Sequence, residues 1–282
     1  MLKKMIVLSF ICVLLSSCSL PDFKTKLTNQ NVNEAQSEQK SQIEQEEKNQ
    51  SFVDQTPADL KIATIGDSLT KGVGDHSENG GYQATLSAHL EKDQKIKDIS
   101  ISHDGKKGLT SKGLVNKIQN DEVMSVLKQA DVIIITIGGN DVMKVVKENF
   151  KHLKTSYFEK GMQSYEKNVR EVLTTIRAQN KDADIYLMGL YNPFDKWFSN
   201  IKEFDEILLE WNRTSEEIAK SFDNVHLVKI SSLFENDKEN LIYEEDYFHP
   251  NSKGYQLMGN AVYEELKKYT ISPTEQQENK EN

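Results

Sequence analysis

Cysteine is nearly absent from this chain of 282 residues, which contains only Cys12 and Cys18. Cys12 lies in an apolar run near the start, and Cys18 follows that run after two serines. The long remainder carries no cysteine, so it cannot form an internal disulfide. Any folded region there must be stabilised by its hydrophobic core alone.

An excess of positive charge is also lacking, since the formal net charge is −9 at pH 7. Nucleic acids and anionic lipids attract basic proteins, so this balance argues against either one as an electrostatic partner. The chain has six histidines, and none shows the spacing of metal ligands on one helix. The sequence therefore predicts no metal site, no cofactor and no nucleic-acid partner.

The start of the chain has the pattern of an export signal. Lys3 and Lys4 precede an apolar run at residues 5–15, which is too short for a permanent membrane span. The run ends in Leu15-Ser16-Ser17-Cys18, which resembles the bacterial lipobox. We expect residues 1–17 to be a lipoprotein signal peptide and Cys18 to carry lipid at the extracytoplasmic face of a bacterial membrane. The alternative is an ordinary secretory signal with an incidental cysteine.

The next segment is polar and has few aliphatic residues. Residues 18–57 are rich in Gln, Asn, Glu, Ser and Lys, so they cannot bury enough apolar surface to offset the entropy of ordering them. We interpret this segment as a disordered tether that begins at the lipidated Cys18. Residues 58–270 are long enough for one sizeable domain, and residues 271–282 form a polar tail.

Within this domain, short apolar runs alternate with helical patterns. Continuously apolar strands and this alternation favour an α/β fold in which helices cover both faces of a parallel sheet. The predicted strands are 60–65, 96–102, 132–137, 185–190 and 225–230. The predicted helices are 82–91, 112–128, 157–179, 204–221 and 252–269.

Three short motifs carry the chemistry. Gly66-Asp67-Ser68-Leu69 follows the first predicted strand, Gly138-Gly139-Asn140-Asp141 follows the third, and Asp246-Tyr247-Phe248-His249-Pro250-Asn251 lies in a late loop. Taken singly, they are compatible with a turn, a helix cap and a surface pair. In this order, at the carboxyl ends of parallel strands where ligands bind, they supply the groups for acyl transfer through a serine.

Each group has a defined expected role. Ser68 is the predicted nucleophile, His249 the base, and Asp246 the carboxylate that orients the imidazole. The backbone N–H of Ser68 and the side-chain amide of Asn140 are predicted donors to the oxyanion. Gly108, after the second strand, could present a third N–H.

These motifs resemble those of the SGNH/GDSL hydrolases, named for the serine, glycine, asparagine and histidine of four sequence blocks. Gly66-Asp67-Ser68-Leu69 matches the first block, Gly138-Gly139-Asn140-Asp141 the third, and Asp246-x-x-His249 the fifth; Gly108 fits the second better than Gly105. The resemblance implies a three-layer α/β/α flavodoxin-like fold with a central five-stranded parallel sheet. It also implies metal-free hydrolysis of carboxylic esters, with Ser68, Gly108, Asn140 and His249 in the four named roles.

Within this family, the chain is similar to lysophospholipase L1-like lipoproteins of Gram-positive bacteria, because a lipobox precedes the domain and Tyr191-Asn192-Pro193-Phe194 follows the fourth strand. The leading hypothesis is an esterase that acts on lysophospholipid-like or short acyl esters at the outer face of the membrane. An O-acetyl deacetylase or acyltransferase acting on cell-wall glycans is the alternative, and a non-catalytic surface-binding lipoprotein comes after it. Residues 143–158 and 194–198 are expected to shape the pocket or else to pack on neighbouring helices.

Overall fold

The computed structural model describes residues 58–77, 80–193, 202–235 and 240–273. The predicted signal peptide, Cys18, the tether and most of the tail lie outside these residues. Within them, no helix is long and apolar enough to cross a membrane.

The centre of the fold is a five-stranded sheet in the order β2-β1-β3-β4-β5, and every pair of neighbouring strands is parallel. All five predicted strands are present, and the predicted α/β class is confirmed. This order places β1 and β3 side by side, so the segments that follow these two strands meet at the carboxyl edge of the sheet. The strands are Ala58–Gly66 (β1), Ile96–Gly105 (β2), Val132–Thr136 (β3), Asp184–Met188 (β4) and Val225–Val228 (β5).

Successive residues of the inner strands point into two separate hydrophobic cores. In β3, Ile133 and Ile135 pack into one core, whereas Val132 and Ile134 pack into the other. All four are at most 1% exposed, because helices cover both faces of the sheet. The sheet is therefore the middle layer of a three-layer α/β/α structure.

The described helices pack on the two faces of this sheet. They are Ser68–Lys71 (α1), Tyr82–Leu90 (α2), Ser111–Lys117 (α3), Asp121–Gln129 (α4), Gly139–Asn149 (α5), Thr155–Gln179 (α6), Lys202–Lys220 (α7), Ser231–Phe234 (α8) and Ser252–Leu266 (α9). Helices α3 to α7 contribute to the first core, and helices α2, α8 and α9 contribute to the second. A short π-helical segment, Lys267–Ile271, follows α9.

One sequence expectation for a helical segment was wrong. The single helix predicted at 112–128 is two helices, because α3 ends at Lys117 and Asn120 caps the next helix by accepting the N–H groups of Glu122 and Val123 at 2.9 and 3.1 Å. Residues 143–158 were expected to shape the pocket or else to pack on neighbouring helices, and most of them belong to α5 and the start of α6.

Candidate active site

Ser68 lies at the sharp turn between β1 and α1. Gly66 has φ of +155°, and a Cβ at this position would lie 2.2 Å from the carbonyl oxygen of Thr136, so only glycine fits. Asp67 caps α1, since its Oδ1 accepts the N–H of Leu69 at 3.0 Å. Ser68 is thereby fixed as the first residue of the helix, where it is 3% exposed.

Ser68, His249 and Asp246 form a continuous series of contacts. The Oγ of Ser68 lies 2.8 Å from Nε2 of His249, and Nδ1 of His249 lies 2.6 Å from Oδ2 of Asp246. The other oxygen of Asp246 accepts the N–H groups of Phe248 and His249, each at 3.0 Å. Desolvation acts to raise the pKa of Asp246, but these hydrogen bonds outweigh it and lower the pKa below its ordinary value. An ionised Asp246 favours the tautomer in which Nε2 can accept the proton of Ser68.

The loop that carries His249 is held from several sides. Tyr191, after β4, donates its hydroxyl to the carbonyl of Phe248 at 2.7 Å. The ring of Phe248 packs edge-on against the imidazole, with 5.0 Å between centroids. Tyr247 adopts a φ of +51°, which is uncommon for a bulky residue and fits the tight turn built on Asp246. His249 is 5% exposed, so the imidazole has little freedom to turn away from Ser68.

The predicted oxyanion donors come from the segments after β2 and β3. Gly108 has φ of +79° and open space where a Cβ would be, so no neighbouring atom covers its backbone on that side. Asn140 lies in the first turn of α5, and its Nδ2 donates to the carbonyl of Leu109 at 3.0 Å. An amide nitrogen carries two hydrogens, so this bond leaves a second donor. Asn140 lines the same pocket as Ser68, and Gly108 directly precedes Leu109, whose carbonyl Asn140 binds.

A second set of hydrogen bonds, besides the one from Asn140 to Leu109, joins the segment after β2 to the segment after β3. The carboxylate of Asp141 accepts the N–H of Ser111 at 2.8 Å and its hydroxyl at 2.6 Å. Asn168, on α6, donates to the same hydroxyl oxygen at 2.9 Å. Burial raises the pKa of Asp141 although the hydrogen bonds from Ser111 oppose this effect. The loop that carries Gly108 and the helix that carries Asn140 are therefore bound as one unit.

A buried polar cluster supports Ser68 from behind. Thr136, the last residue of β3, donates its hydroxyl to Oδ1 of Asp67 at 2.9 Å. Its oxygen lies 2.8 Å from the hydroxyl of Thr70 and accepts the N–H of that residue at 3.2 Å. Burial raises the pKa of Asp67 to about 7 against the lowering effect of its hydrogen bonds. The segment that carries Ser68 is thus fastened to β3 by polar contacts on both sides of the serine.

The family model for the GDSL-like lipase/acylhydrolase family matches residues 64–257, which is more than half of the chain and includes all three motifs. The chain belongs to this family. It is therefore a carboxylic ester hydrolase of the SGNH/GDSL type, as the motifs predicted.

Known proteins similar to this GDSL hydrolase include the uncharacterized protein YpmR of Bacillus subtilis, which is 34% identical over 76% of this chain and 84% of its own length. The spore germination lipase LipC of Bacillus licheniformis is 28% identical over 72% of this chain and 94% of its own length. Among solved structures, the lipase Lip_vut3 from a goat rumen metagenome superposes with a TM-score of 0.65 at 26% identity. It covers 72% of this chain and 95% of its own.

A small cleft of about 40 Å³, open to solvent at its mouth, is lined at one end by Ser68 and Asn140 in this GDSL hydrolase. It passes between α5, the end of β4 and α7. The polar groups lie at the end near Ser68, and apolar side chains form most of the remaining wall. Those side chains include Val142, Met143, Leu190, Pro193, Leu208 and Phe248.

The structure describes every predicted site residue of this hydrolase except Cys18. Of the segment 143–158, Met143 lines the cleft, Phe158 packs in the core and Phe150 is exposed; residues 194–198 lie outside the described part. Sequence reasoning missed Ser111, because nothing local marks a serine that binds a carboxylate 30 positions away. Among the described residues, no group of three His, Cys, Asp or Glu side chains is arranged to hold a metal ion.

Proposed function

We propose that this GDSL hydrolase is a serine esterase that uses Ser68, His249 and Asp246 to hydrolyse lysophospholipid-like or other short acyl esters. The observation that carries the proposal is the series of two short contacts through His249, 2.8 Å to Ser68 and 2.6 Å to Asp246, which stands at the end of an apolar cleft. The lipases LipC and Lip_vut3, both similar over most of the domain, support an acyl ester as substrate.

The contact between Ser68 and His249 supports covalent catalysis. As Oγ attacks the ester carbonyl, its proton passes to Nε2, and Asp246 stabilises the imidazolium through Nδ1–H. The C–O bond to the alcohol then breaks, and the imidazolium returns the proton to the leaving alkoxide. Water, deprotonated by the same nitrogen, then attacks the acyl-enzyme. The acyl C–Oγ bond breaks and the imidazolium protonates Oγ, which releases the carboxylic acid and free Ser68.

The negative charge of the tetrahedral intermediate needs donors that are already in place. We assign this role to the N–H groups of Ser68 and Gly108 and to the second hydrogen on Nδ2 of Asn140. Because Asp141 and Leu109 fasten these segments to each other, the donors need not reorganise when charge develops on the carbonyl oxygen.

The lining of the cleft favours an acyl chain over a sugar. Apolar side chains such as Val142, Met143 and Leu208 offer no hydrogen bonds to sugar hydroxyls, whereas they can bury methylene groups. We therefore assign this cleft to the acyl group and its open mouth to the alcohol part of the ester.

The serine is tested with a fluorophosphonate probe on purified protein. Wild type is expected to be labelled once, and Ser68→Ala to lose both label and esterase activity. Ser125→Ala, which removes an exposed serine on α4, is the matched control and should behave as wild type. Labelling that persists in Ser68→Ala would place the nucleophile elsewhere.

The acyl group is tested with p-nitrophenyl esters of increasing chain length, measured beside acetylated xylan and peptidoglycan. We expect kcat/KM to rise beyond the acetyl ester as methylenes enter the cleft. Activity restricted to acetyl groups on glycans would instead assign the enzyme to deacetylation. Product that appears on an added alcohol or sugar would assign it to acyl transfer.

We further propose that the enzyme acts at the extracytoplasmic face of the membrane through lipid on Cys18. The support is the sequence Leu15-Ser16-Ser17-Cys18 after a short apolar run. Cys18→Ala should abolish incorporation of labelled palmitate and leave precursor uncleaved or released into the medium. A variant that is still processed, lipid-labelled and membrane-bound would contradict the proposal.

A further inference from the structure

The turn between α5 and α6 exposes two large apolar side chains close together. Phe150 is 79% exposed and Leu153 is 44% exposed. Single exposed apolar residues are common on protein surfaces, but an aromatic ring this exposed three positions from a leucine is a small patch. We call residues 144–154, which carry this patch, the tip.

The tip is strongly basic although the chain as a whole is acidic. It contains four lysines and one glutamate, a net charge of +3 with histidine neutral, against −9 for the whole chain. The glutamate, Glu148, lies 3.9 Å from Lys144. Lys147, Lys151 and Lys154 are exposed, and none of them pairs with a carboxylate in the part of the chain that the structure describes. Charges act locally, over about 8 Å at physiological salt, so the tip can attract an anion despite the overall charge.

Local helix chemistry accounts for Lys147, a cation in the last turn of α5, but not for Lys154. Lys154 is the N-cap of α6 and makes no side-chain cap, and the first turn of that helix has no acidic residue. Cations are unfavourable at a helix N-terminus, where Ser, Thr, Asp or Asn would satisfy the free N–H groups. Positive charge at this position therefore costs α6 some stability, which favours a role outside the fold.

The tip projects from the catalytic edge of the sheet. Helix α6 leads into β4. The C-terminal end of α6 lies at the edge of the sheet opposite Ser68, because Asn180 donates to the carbonyls of Leu127 and Ala130, just before β3. The helix has 25 residues and so a length of roughly 37 Å. The five residues of β3 span only about 17 Å. The first turns of α6, and the tip before them, thus extend beyond the edge at which Ser68 lies.

We propose that the tip docks the catalytic edge onto an anionic lipid bilayer, with Phe150 and Leu153 at the headgroup boundary and the lysines against lipid phosphates. An exposed aromatic and aliphatic pair surrounded by lysines suits a surface that is apolar within and negative outside. This inference rests on the proposed function for its substrate, since docking would bring the mouth of the cleft to acyl esters in the membrane. It requires no change in the catalytic residues.

The experiment uses Phe150→Trp in the full chain, added to preformed vesicles that contain brominated lipids. Tryptophan at position 150 should be quenched in vesicles with phosphatidylglycerol and much less in vesicles of phosphatidylcholine alone. Val126→Trp is the matched control, because Val126 is 41% exposed on α4, the helix that leads into the opposite edge of the sheet. The fluorescence of wild type, which has two tryptophans, is subtracted. Adding Lys147→Glu and Lys151→Glu should lower the quenching at position 150 several-fold.

Several results would overturn this proposal. They are no quenching at position 150, equal quenching at positions 150 and 126, and quenching that is the same in neutral and anionic vesicles. Binding of soluble polyphosphate without quenching would assign the lysines to a cell-wall polyanion instead. The readout does not depend on turnover or on lipid at Cys18. Failure of docking is therefore distinguishable from failure of the esterase assignment, which the fluorophosphonate and chain-length assays test.

Discussion

Asp67 should make the stability of this enzyme depend on pH in an unusual direction. Most carboxylates in folded proteins are stabilised as ions, but Asp67 is 3% exposed and its burial raises the pKa from 3.8 to about 7. Between these two values the unfolded chain has lost the proton while the folded protein still holds it. Unfolding then releases a proton, so the free energy of unfolding falls as pH rises through this range. Each pKa unit corresponds to about 1.4 kcal/mol, which gives a loss of about 4 kcal/mol by neutral pH from this group.

The informative variant is Asp67→Asn. The side-chain oxygen of asparagine can still accept the N–H of Leu69 and the hydroxyl of Thr136, but it carries no charge at any pH. Relative to wild type, the variant should therefore gain up to about 4 kcal/mol of stability as pH rises from about 4 to about 7, and nothing more above that range.

Urea unfolding at a series of pH values measures this difference directly. Glu122→Gln, which removes an exposed carboxylate from α4, controls for the loss of one negative charge and should show no comparable trend. A difference between wild type and Asp67→Asn that stays constant with pH, or that falls as pH rises, would refute the reasoning.

Two further predictions concern the groups around the reacting serine. Asp141→Ala removes the acceptor for the N–H and the hydroxyl of Ser111. It should lower kcat by roughly 10²-fold with KM little changed, which is the scale of one lost oxyanion donor. Asp141→Asn keeps one acceptor oxygen and should lose less activity. Steady-state kinetics on a soluble p-nitrophenyl ester measure both, and a rise in KM alone would assign Asp141 to substrate binding. His249→Ala should approach the activity of Ser68→Ala in the same assay, whereas Asp246→Asn should retain more, because Asp246 orients the imidazole but transfers no proton. An Asp246→Asn variant less active than a folded His249→Ala variant would contradict this division of roles.

The sequence predicted the parts of the site that depend on local chemistry. Gly66 and Ser68 were identifiable because a nucleophile exposed after a parallel strand needs a sharp turn, and a Cβ at Gly66 would indeed overlap Thr136. Asn120 shows a local signal that was overlooked: an asparagine followed by two acidic residues is a helix start, and it divides the predicted helix 112–128.

Contacts between distant segments could not be predicted from the sequence in the same way. Ser111 and Asp141 are 30 positions apart, and the hydroxyl of Tyr191 reaches the carbonyl of Phe248 over 57 positions. No periodicity or spacing marks such pairs, because they arise only when the sheet order brings the strand ends together. For the same reason the sequence predicted candidate catalytic groups but not the residues that hold them or line the cleft.

The distance between Ser68 and His249 is set by more than their own hydrogen bond. These residues are 181 positions apart, and the chain segments next to them are hydrogen-bonded to each other. Asn251, two residues after His249, caps α9 by accepting two N–H groups, and the next residue, Ser252, donates its hydroxyl to Asp75 at 2.6 Å. Asp75 lies in the loop that follows the helix of Ser68. The start of α9 and the loop after α1 are therefore fastened to each other, so the residues around Pro250 help to hold His249 against Ser68 as well as to begin a helix.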